Sequence, residues 1–390
     1  MWGRALPLTV ILSGSSELVF VDPMSSRPLL VFTPVLYRGM FMPSRVLLAP
    51  INTGFAPSGR PSFALLRFHQ ERSGPAIGIS TLGNVATHLA FIPHPNTPIL
   101  ASRKDVGRFS VIARAIKVQG SLAGIQLADS PAGLTPQPNW VAPDPAREIE
   151  RLRLLIHDLP PENLRHHLSR FISSATLAAK AGFDMIQIHA AHGYLLSLLL
   201  SPAVNTRSDE FRFPSRWLPA FIDKLKSTVG HCILSFRISL FTGLMPTSDE
   251  FPQAQTLAST LAAGGVDLID LSSGFYTLDR RLIYPNRDFG AAPYYPFARI
   301  IANLVSCLVS FAGNVTDLRL LPDDMPPNLL VSVGRALIAD PQFAQKSLDG
   351  RYQDVNWCRR TGRCHYFSRS RWRIECGVNP RLGLGGDHDK

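Results

Sequence analysis

Two histidines and a tyrosine fall within six residues of one another in the run His189-Ala-Ala-His192-Gly-Tyr194, at the end of the apolar stretch Met185–His189. Two imidazoles and a phenol this close together at a strand end can hydrogen-bond a ligand or move protons. A zinc site is the competing use of a histidine pair, but no third His, Asp or Glu closes a strand to complete it. A satisfied core histidine remains the ordinary alternative for either one taken alone.

Polar groups or glycines close the other apolar stretches too. In chain order the ends carry Asn52, Gly83, Gln126, His189 with His192, Arg237, Ser272-Ser273, Gly313-Asn314 and Gly334-Arg335. Brought together they would line a pocket with amide, imidazole, guanidinium and hydroxyl groups. Glycines at the last two ends suit a phosphate held by backbone N–H groups, so the pattern points to a phosphorylated cofactor. For Arg237 a structural ion pair at a rim is the alternative use.

The elements that must position these groups are short, β-branched apolar runs. They are Val46–Ala49, Ala76–Leu82, Ala123–Leu127, Met185–His189, Cys232–Ile238, Leu268–Leu271, Leu308–Phe311 and Leu329–Val333. Most are apolar almost throughout, as parallel strands buried on both faces are. Helical patterns separate them at 104–119, 161–181, 214–229, 250–263 and 298–305. The segment 161–181 is the clearest, with Pro and Glu at its start, an apolar stripe from Leu164 to Ala179, and Gly182 at its end. Eight such units predict an α/β fold of the (β/α)8 TIM-barrel type, whose active sites lie at the C-terminal ends of the strands. A doubly wound sheet is the second reading of the same alternation. The unit between the seventh and eighth runs has room for only a short helix at 315–321.

With these residues in view, the run His189–Tyr194, continuing through Leu200-Ser-Pro202 and Asn205-Thr-Arg-Ser-Asp-Glu210, resembles the signature of the Old Yellow Enzyme family of FMN-dependent ene-reductases. Phe32-Thr-Pro34 with Arg45–Pro50, Gly124–Leu127 and Gly334–Pro341 resemble that family's first, third and closing strands. The resemblance implies FMN as cofactor and NAD(P)H as reductant. It implies that Gly313, Asn314, Gly334 and Arg335 hold the phosphate, and that Gln126 and Arg237 meet the isoalloxazine. Ala49, Pro50 and Gly83 match positions where backbone approaches the ring, and Asn52 stands where relatives carry Thr or Cys. His189 and His192 match the donors that grip the substrate carbonyl, and Tyr194 matches the proton donor. The expected reaction is ping-pong reduction of an activated C=C, as in an enone, by hydride transfer through flavin N5. The family's usual sequence after the run at 205–210 is replaced here by Phe211-Arg-Phe-Pro-Ser-Arg-Trp217, and the region after Asn314 is shortened. The alternative is therefore a degenerate FMN-binding barrel with little turnover, acting as a binding or interaction module.

Near the end stand Cys358, Cys364 and Cys376. The spacing of the last two resembles the closing ligands of the [4Fe–4S] cluster in the dienoyl-CoA-reductase-like branch. The first pair is broken, with Arg360 where a cysteine would sit, so the resemblance implies a remnant without an intact cluster. The chain carries 40 Lys+Arg against 29 Asp+Glu, a net charge of +11, which raises nucleic acid, membrane surfaces and phosphorylated ligands as partners. Seven arginines and one aspartate lie between Arg351 and Arg373, so six of the eleven excess charges belong to this tail. That concentration, without an aromatic-basic platform, argues against nucleic acid. No run approaches the roughly 20 apolar residues of a membrane span. Five cysteines among 390 residues fit a reducing, cytoplasmic compartment rather than a disulfide scaffold. The expected organisation is a leader or poorly ordered segment at 1–27, an FMN-binding barrel at 28–350 and a basic, Cys-containing extension at 351–390. A small-molecule substrate is expected, and self-association is left open.

Overall fold

The computed structural model describes residues 29–89, 94–131, 141–365 and 371–383, and the backbone of Thr9–Val10. The rest of the expected leader lies outside the described residues. Thr9–Val10 runs parallel to Val35–Leu36.

Eight parallel strands close on themselves: β1 (Val46–Ile51), β2 (Ile79–Ala86), β3 (Leu122–Ala128), β4 (Met185–Ala190), β5 (Ile233–Ser239), β6 (Leu268–Ser272), β7 (Leu308–Ala312) and β8 (Leu329–Val333). Val331–Val333 pairs with Val46–Leu48 to complete the ring, so the fold is a TIM barrel and the doubly wound alternative falls. The second apolar run is displaced from its strand. Ala76-Ile77-Gly78 precedes the strand, and β2 continues through Gly83-Asn84 to Ala86, with a register shift against β3 between Leu82 and Val85. The polar pair hides the strand's second half from a search for unbroken apolar character.

Alternation along the strands explains the barrel interior. Its lowest layer is apolar, from Leu47, Ile79, Met185, Ile233, Leu268, Leu308 and Leu330, and the hairpin Val35–Tyr37/Met40–Met42 plugs it with Val35 and Met42. Two residues up each strand stand Ala49, Thr81, Gly124, Gln187, Ser235, Asp270, Ser310 and Ser332. Two further up stand Gly83, Gln126, His189, Arg237, Ser272, Ala312 and Gly334. The interior thus changes from hydrocarbon at the bottom to hydrogen-bonding groups at the C-terminal mouth.

Helices 106–118, 161–180, 214–229, 247–263 and 295–304 cover the outside where the periodicity predicts them, with ends shifted by up to three residues. After β7 only the single 3-10 turn Leu318–Leu320 forms. The helix Pro145–Asp158 is additional; Asp144 caps it by accepting from the amides of Ala146 and Arg147. It braces the segment after β4: Arg153 donates to the Ala203 carbonyl at 2.7 Å, and buried Arg207 donates to the carbonyls of Ile156 and His157. Asn205 bonds the carbonyls of Leu199 and Phe211 at 2.8 Å each, so the conspicuous polar run at 205–210 staples a loop.

Candidate active site

One cleft of about 1240 Å³, open to solvent, occupies the C-terminal mouth of the barrel. Its walls include Ala49, Pro50, Asn52, Gln126, His189, His192, Tyr194, Arg237, Gly313, Asn314, Gly334 and Arg335. Of the strand-end residues expected from sequence, Gly83 and the pair Ser272-Ser273 are not in that wall. A Cβ at Gly83 would fall 2.7 Å from that of Pro50 and 2.9 Å from that of Gln126, so glycine lets the two wall residues stand against the β2 backbone.

His189 is the last inward residue of β4, and His192 follows the strand in a left-handed turn, φ 65°. Their rings meet edge to face at 5.0 Å between centroids, and Tyr194 lies 4.9 Å from His189. Both histidines are buried, and His189 Nδ1 has no hydrogen-bond partner among the described residues. Burial, reinforced by the Arg237 cation, holds His189 well below the usual imidazole range; burial, His189 and Arg237 do the same to His192. Both rings are therefore neutral at pH 7. Arg237 Nη2 donates to Ser272 Oγ at 3.1 Å, and His192 Nε2 lies in hydrogen-bond contact with the same oxygen at 2.8 Å.

A buried network beneath the cleft holds these groups. Arg237 Nη1 donates to Asp270 Oδ2 at 2.6 Å, and Ser310 Oγ donates to Asp270 Oδ1 at 2.7 Å. Gln126 Nε2 donates to Gln187 Oε1 at 2.7 Å, and Gln187 donates to Ser235 Oγ at 3.0 Å. The ion pair expected as the alternative use of Arg237 is thus present, yet Arg237 also lines the cleft and its Nε has no partner among the described residues. Asn52 donates to Asn84 Oδ1 at 2.9 Å and Thr97 Oγ1 at 2.8 Å, and Asn84 donates to the Tyr194 hydroxyl oxygen at 3.4 Å.

The far end of the cleft is built by β7 and β8. Gly313 has φ 151° and Asn314 has φ 48°; a Cβ at Gly313 would lie 2.4 Å from the Tyr294 ring, so only glycine fits. Asn314 donates to the carbonyls of Asn286 and Gly290, and Arg335 donates to the Pro285 carbonyl at 2.6 Å. These side chains hold the loop 285–290, leaving backbone and guanidinium edge at the cleft.

Sequence reasoning missed Gln187, Asp270 and a stack of aromatics. Gln187 and Asp270 have the inward parity of His189 and Ser272, which was a usable signal. Tyr276 lies 5.8 Å from His192 and shares a 3.0 Å hydroxyl contact with Tyr284, on which His365 of the tail stacks at 3.7 Å. No local signal marks these, because a loop and the tail bring them in.

The tail is part of the rim. Ile374 N bonds the Thr53 carbonyl at 2.9 Å, Asn379 bonds the Ile338 carbonyl at 2.9 Å, and His94 meets the Arg371 carbonyl at 3.1 Å. Cys358, Cys364 and Cys376 line a second, smaller cavity behind the cleft. Burial, with Cys358 and Cys376 adding, pushes the Cys364 thiol up to about 12. The remaining cysteines, Cys232 and Cys307, precede β5 and β7 at the opposite end of the barrel. Three thiols beside Arg359, Arg360 and Arg363 do not fit a [4Fe–4S] cluster.

The lining is compatible with FMN: the cleft is large, Ala49 and Pro50 stand in its wall, and its polar floor holds the unpartnered His189 Nδ1 and Arg237 Nε. Fold and cleft together are those of a TIM barrel with its candidate site at the C-terminal ends of the strands. Residues 30–354 match the NADH:flavin oxidoreductase / NADH oxidase family, and the chain belongs to that family, the Old Yellow Enzymes. It is 26% identical to an NADH oxidase of Thermoanaerobacter brockii, over 88% of this chain and 54% of that one. It is 27% identical to an NADPH dehydrogenase of Bacillus subtilis (strain 168), over 81% of this chain and 93% of that one. A cinnamate reductase of Clostridium sporogenes is 23% identical, over 90% of this chain and 58% of that one. The chain therefore spans little more than half of some relatives and nearly all of another. Among solved structures, the old yellow enzyme homologue from Zymomonas mobilis shares the fold with a TM-score of 0.64 at 17% identity, over 82% of this chain and 92% of that one. Among the described residues no helix is long and apolar enough to cross a membrane.

Proposed function

We propose that the protein uses NAD(P)H to reduce the C=C bond of an α,β-unsaturated carbonyl compound, with FMN held in the barrel mouth. Bound FMN would supply the hydride at N5, having received it from NAD(P)H. The chain's own residues do the rest. His189 and His192 are neutral donors that hold the substrate carbonyl oxygen and stabilise the charge that grows on it. Tyr194, against His189, delivers a proton to the α-carbon. Arg237, fixed by Asp270, sets a cation at the cleft floor, where it favours an anionic reduced ring; Gln126, oriented by Gln187, offers an amide edge. Gly313, Asn314, Gly334 and Arg335 would hold the phosphate.

The observation that carries this reading is the His189 Nδ1 atom: buried, neutral, unpartnered among the described residues, and beside a second neutral imidazole in the cleft at the barrel mouth. A lone buried ring nitrogen costs free energy in the free protein and gains a partner when a carbonyl oxygen arrives. Similarity to an NADPH dehydrogenase and to a cinnamate reductase supports the reductant and the substrate class. The test is a titration of the FMN-loaded protein with 4-hydroxybenzaldehyde. A long-wavelength charge-transfer band should appear, and it should vanish in the His189→Ala/His192→Ala double variant. An unchanged band in that variant removes the pair from the site.

A further inference from the structure

The tail contributes a guanidinium that neither the barrel motifs nor the family's phosphate positions include. Arg360 Nη2 donates to Thr316 Oγ1 at 3.4 Å, and Thr316 lines the far end of the main cleft with Gly313, Asn314 and Arg335. Arg360 Nε is buried without a hydrogen-bond partner among the described residues. The residue sits in left-handed backbone, φ 56°, a conformation an arginine seldom adopts unless its surroundings impose it.

The charges around it are unbalanced. Neither Arg335 nor Arg360 forms an ion pair among the described residues, whereas Glu375, the acid nearest in the adjoining cavity, is taken by Arg371. Burial pushes Arg335 down, Cys358 and Cys364 oppose that shift, and the Arg360 cation adds to it. Arg335 lines both the main cleft and the adjoining cavity in which Arg360 stands, so the two guanidiniums meet at the wall between them without a carboxylate partner among the described residues. A phosphate monoester, with two negative charges and three acceptor oxygens, has the matching chemistry.

We propose that Arg360 is a second arginine of the flavin phosphate site, so that the basic tail closes over the 5′-phosphate opposite Arg335. The inference rests on the FMN reading above and adds a residue from outside the barrel to it. It also gives a physical role to the arginine that interrupts the cysteine pattern. A 2′-phosphate of NADPH carries the same chemistry, and the two sources separate by experiment.

Apoprotein of the wild type, Arg360→Ala, Arg360→Lys and the exposed control Arg359→Ala is titrated with FMN and with riboflavin, which lacks the phosphate, by quenching of flavin fluorescence. Loss of one charge-assisted contact predicts an FMN Kd raised about 10- to 100-fold in Arg360→Ala. Riboflavin affinity should change less than about twofold, Arg360→Lys should recover part of the loss, and Arg359→Ala should match wild type within about twofold. Circular dichroism melting of each apoprotein shows whether a variant is folded; if Arg360→Ala is not, Arg360→Lys and Arg360→Gln carry the comparison. Equal loss for FMN and riboflavin, or FMN affinity unchanged, overturns the inference. So does a selective rise in KM for NADPH over NADH with FMN affinity intact, because the phosphate is then the nucleotide's. Failure of wild type to bind either flavin instead overturns the FMN reading itself.

Discussion

Replacing His189 by alanine separates chemistry from structure unusually well, because the atom held responsible for catalysis makes no bond in the free protein. Nδ1 has no partner among the described residues, and the ring packs on one side against His192 and Tyr194 at about 5 Å. The ring lines an open cleft, so water can enter the space it vacates. Folding stability should then fall by only about 1–2 kcal/mol, the range of ordinary substitutions. The transition state loses a preorganised donor in a low-dielectric site, which costs about 3–4 kcal/mol, or 10²–10³ in kcat. The assay pairs steady-state reduction of 2-cyclohexenone by NADPH with urea unfolding of the same preparation. His189→Asn, which restores an N–H donor, should regain about tenfold. Wild-type turnover should show no break near pH 6.5, since both imidazoles stay neutral well below that value. Unchanged kcat in His189→Ala, or a loss of stability above about 4 kcal/mol with full activity in the folded fraction, refutes the assignment.

Other expectations follow from neighbouring contacts. Asp270→Asn leaves the buried Arg237 cation without its partner and should cost about 3–5 kcal/mol in urea unfolding; a loss under about 1 kcal/mol would mean the pair is not closed. Gly83→Ala places a Cβ against Pro50 and Gln126, so stability should fall by about 1–3 kcal/mol and flavin affinity with it. Burial, with Arg72 adding, holds His69 down at about 3, and His189 and His192 shift the same way. The unfolded chain therefore takes up protons below about pH 6.5 that the folded chain refuses. Stability should fall as pH drops from about 6.5 toward 3, by up to about 1.4 kcal/mol per pH unit for each such histidine. A urea midpoint that rises with acid over this window contradicts the burial argument. Tyr194→Phe should slow enone reduction about 10²- to 10⁴-fold while leaving flavin binding unchanged, read by stopped-flow and fluorescence.

The barrel and its mouth were legible because parallel strands carry their signal locally. Each apolar run ends where its inward residue becomes polar, so Gln126, His189 and Arg237 could be found without any tertiary information. The same parity marks Gln187 and Asp270, which stand one inward position below His189 and Ser272 and so farther from the mouth. The helix at 145–158 could be read from its stripe of Leu152 and Ile156, but its purpose, bracing Arg207 and Ala203, depends on contacts some fifty residues apart. Strand β2 was misplaced because a polar Gly83-Asn84 pair breaks its apolar run where the backbone shifts register. Tyr284 against His365 and Thr316 against Arg360 join the barrel to the tail across 40 or more residues. No local periodicity encodes such a meeting.

The most direct test of the central claim is an anaerobic spectrum in three stages. Purified protein should take up FMN and turn yellow, bleach on addition of NADPH, and regain its oxidised flavin spectrum when 2-cyclohexenone is added without oxygen. A protein that binds no FMN, or a bleached flavin that the enone leaves reduced, contradicts the account.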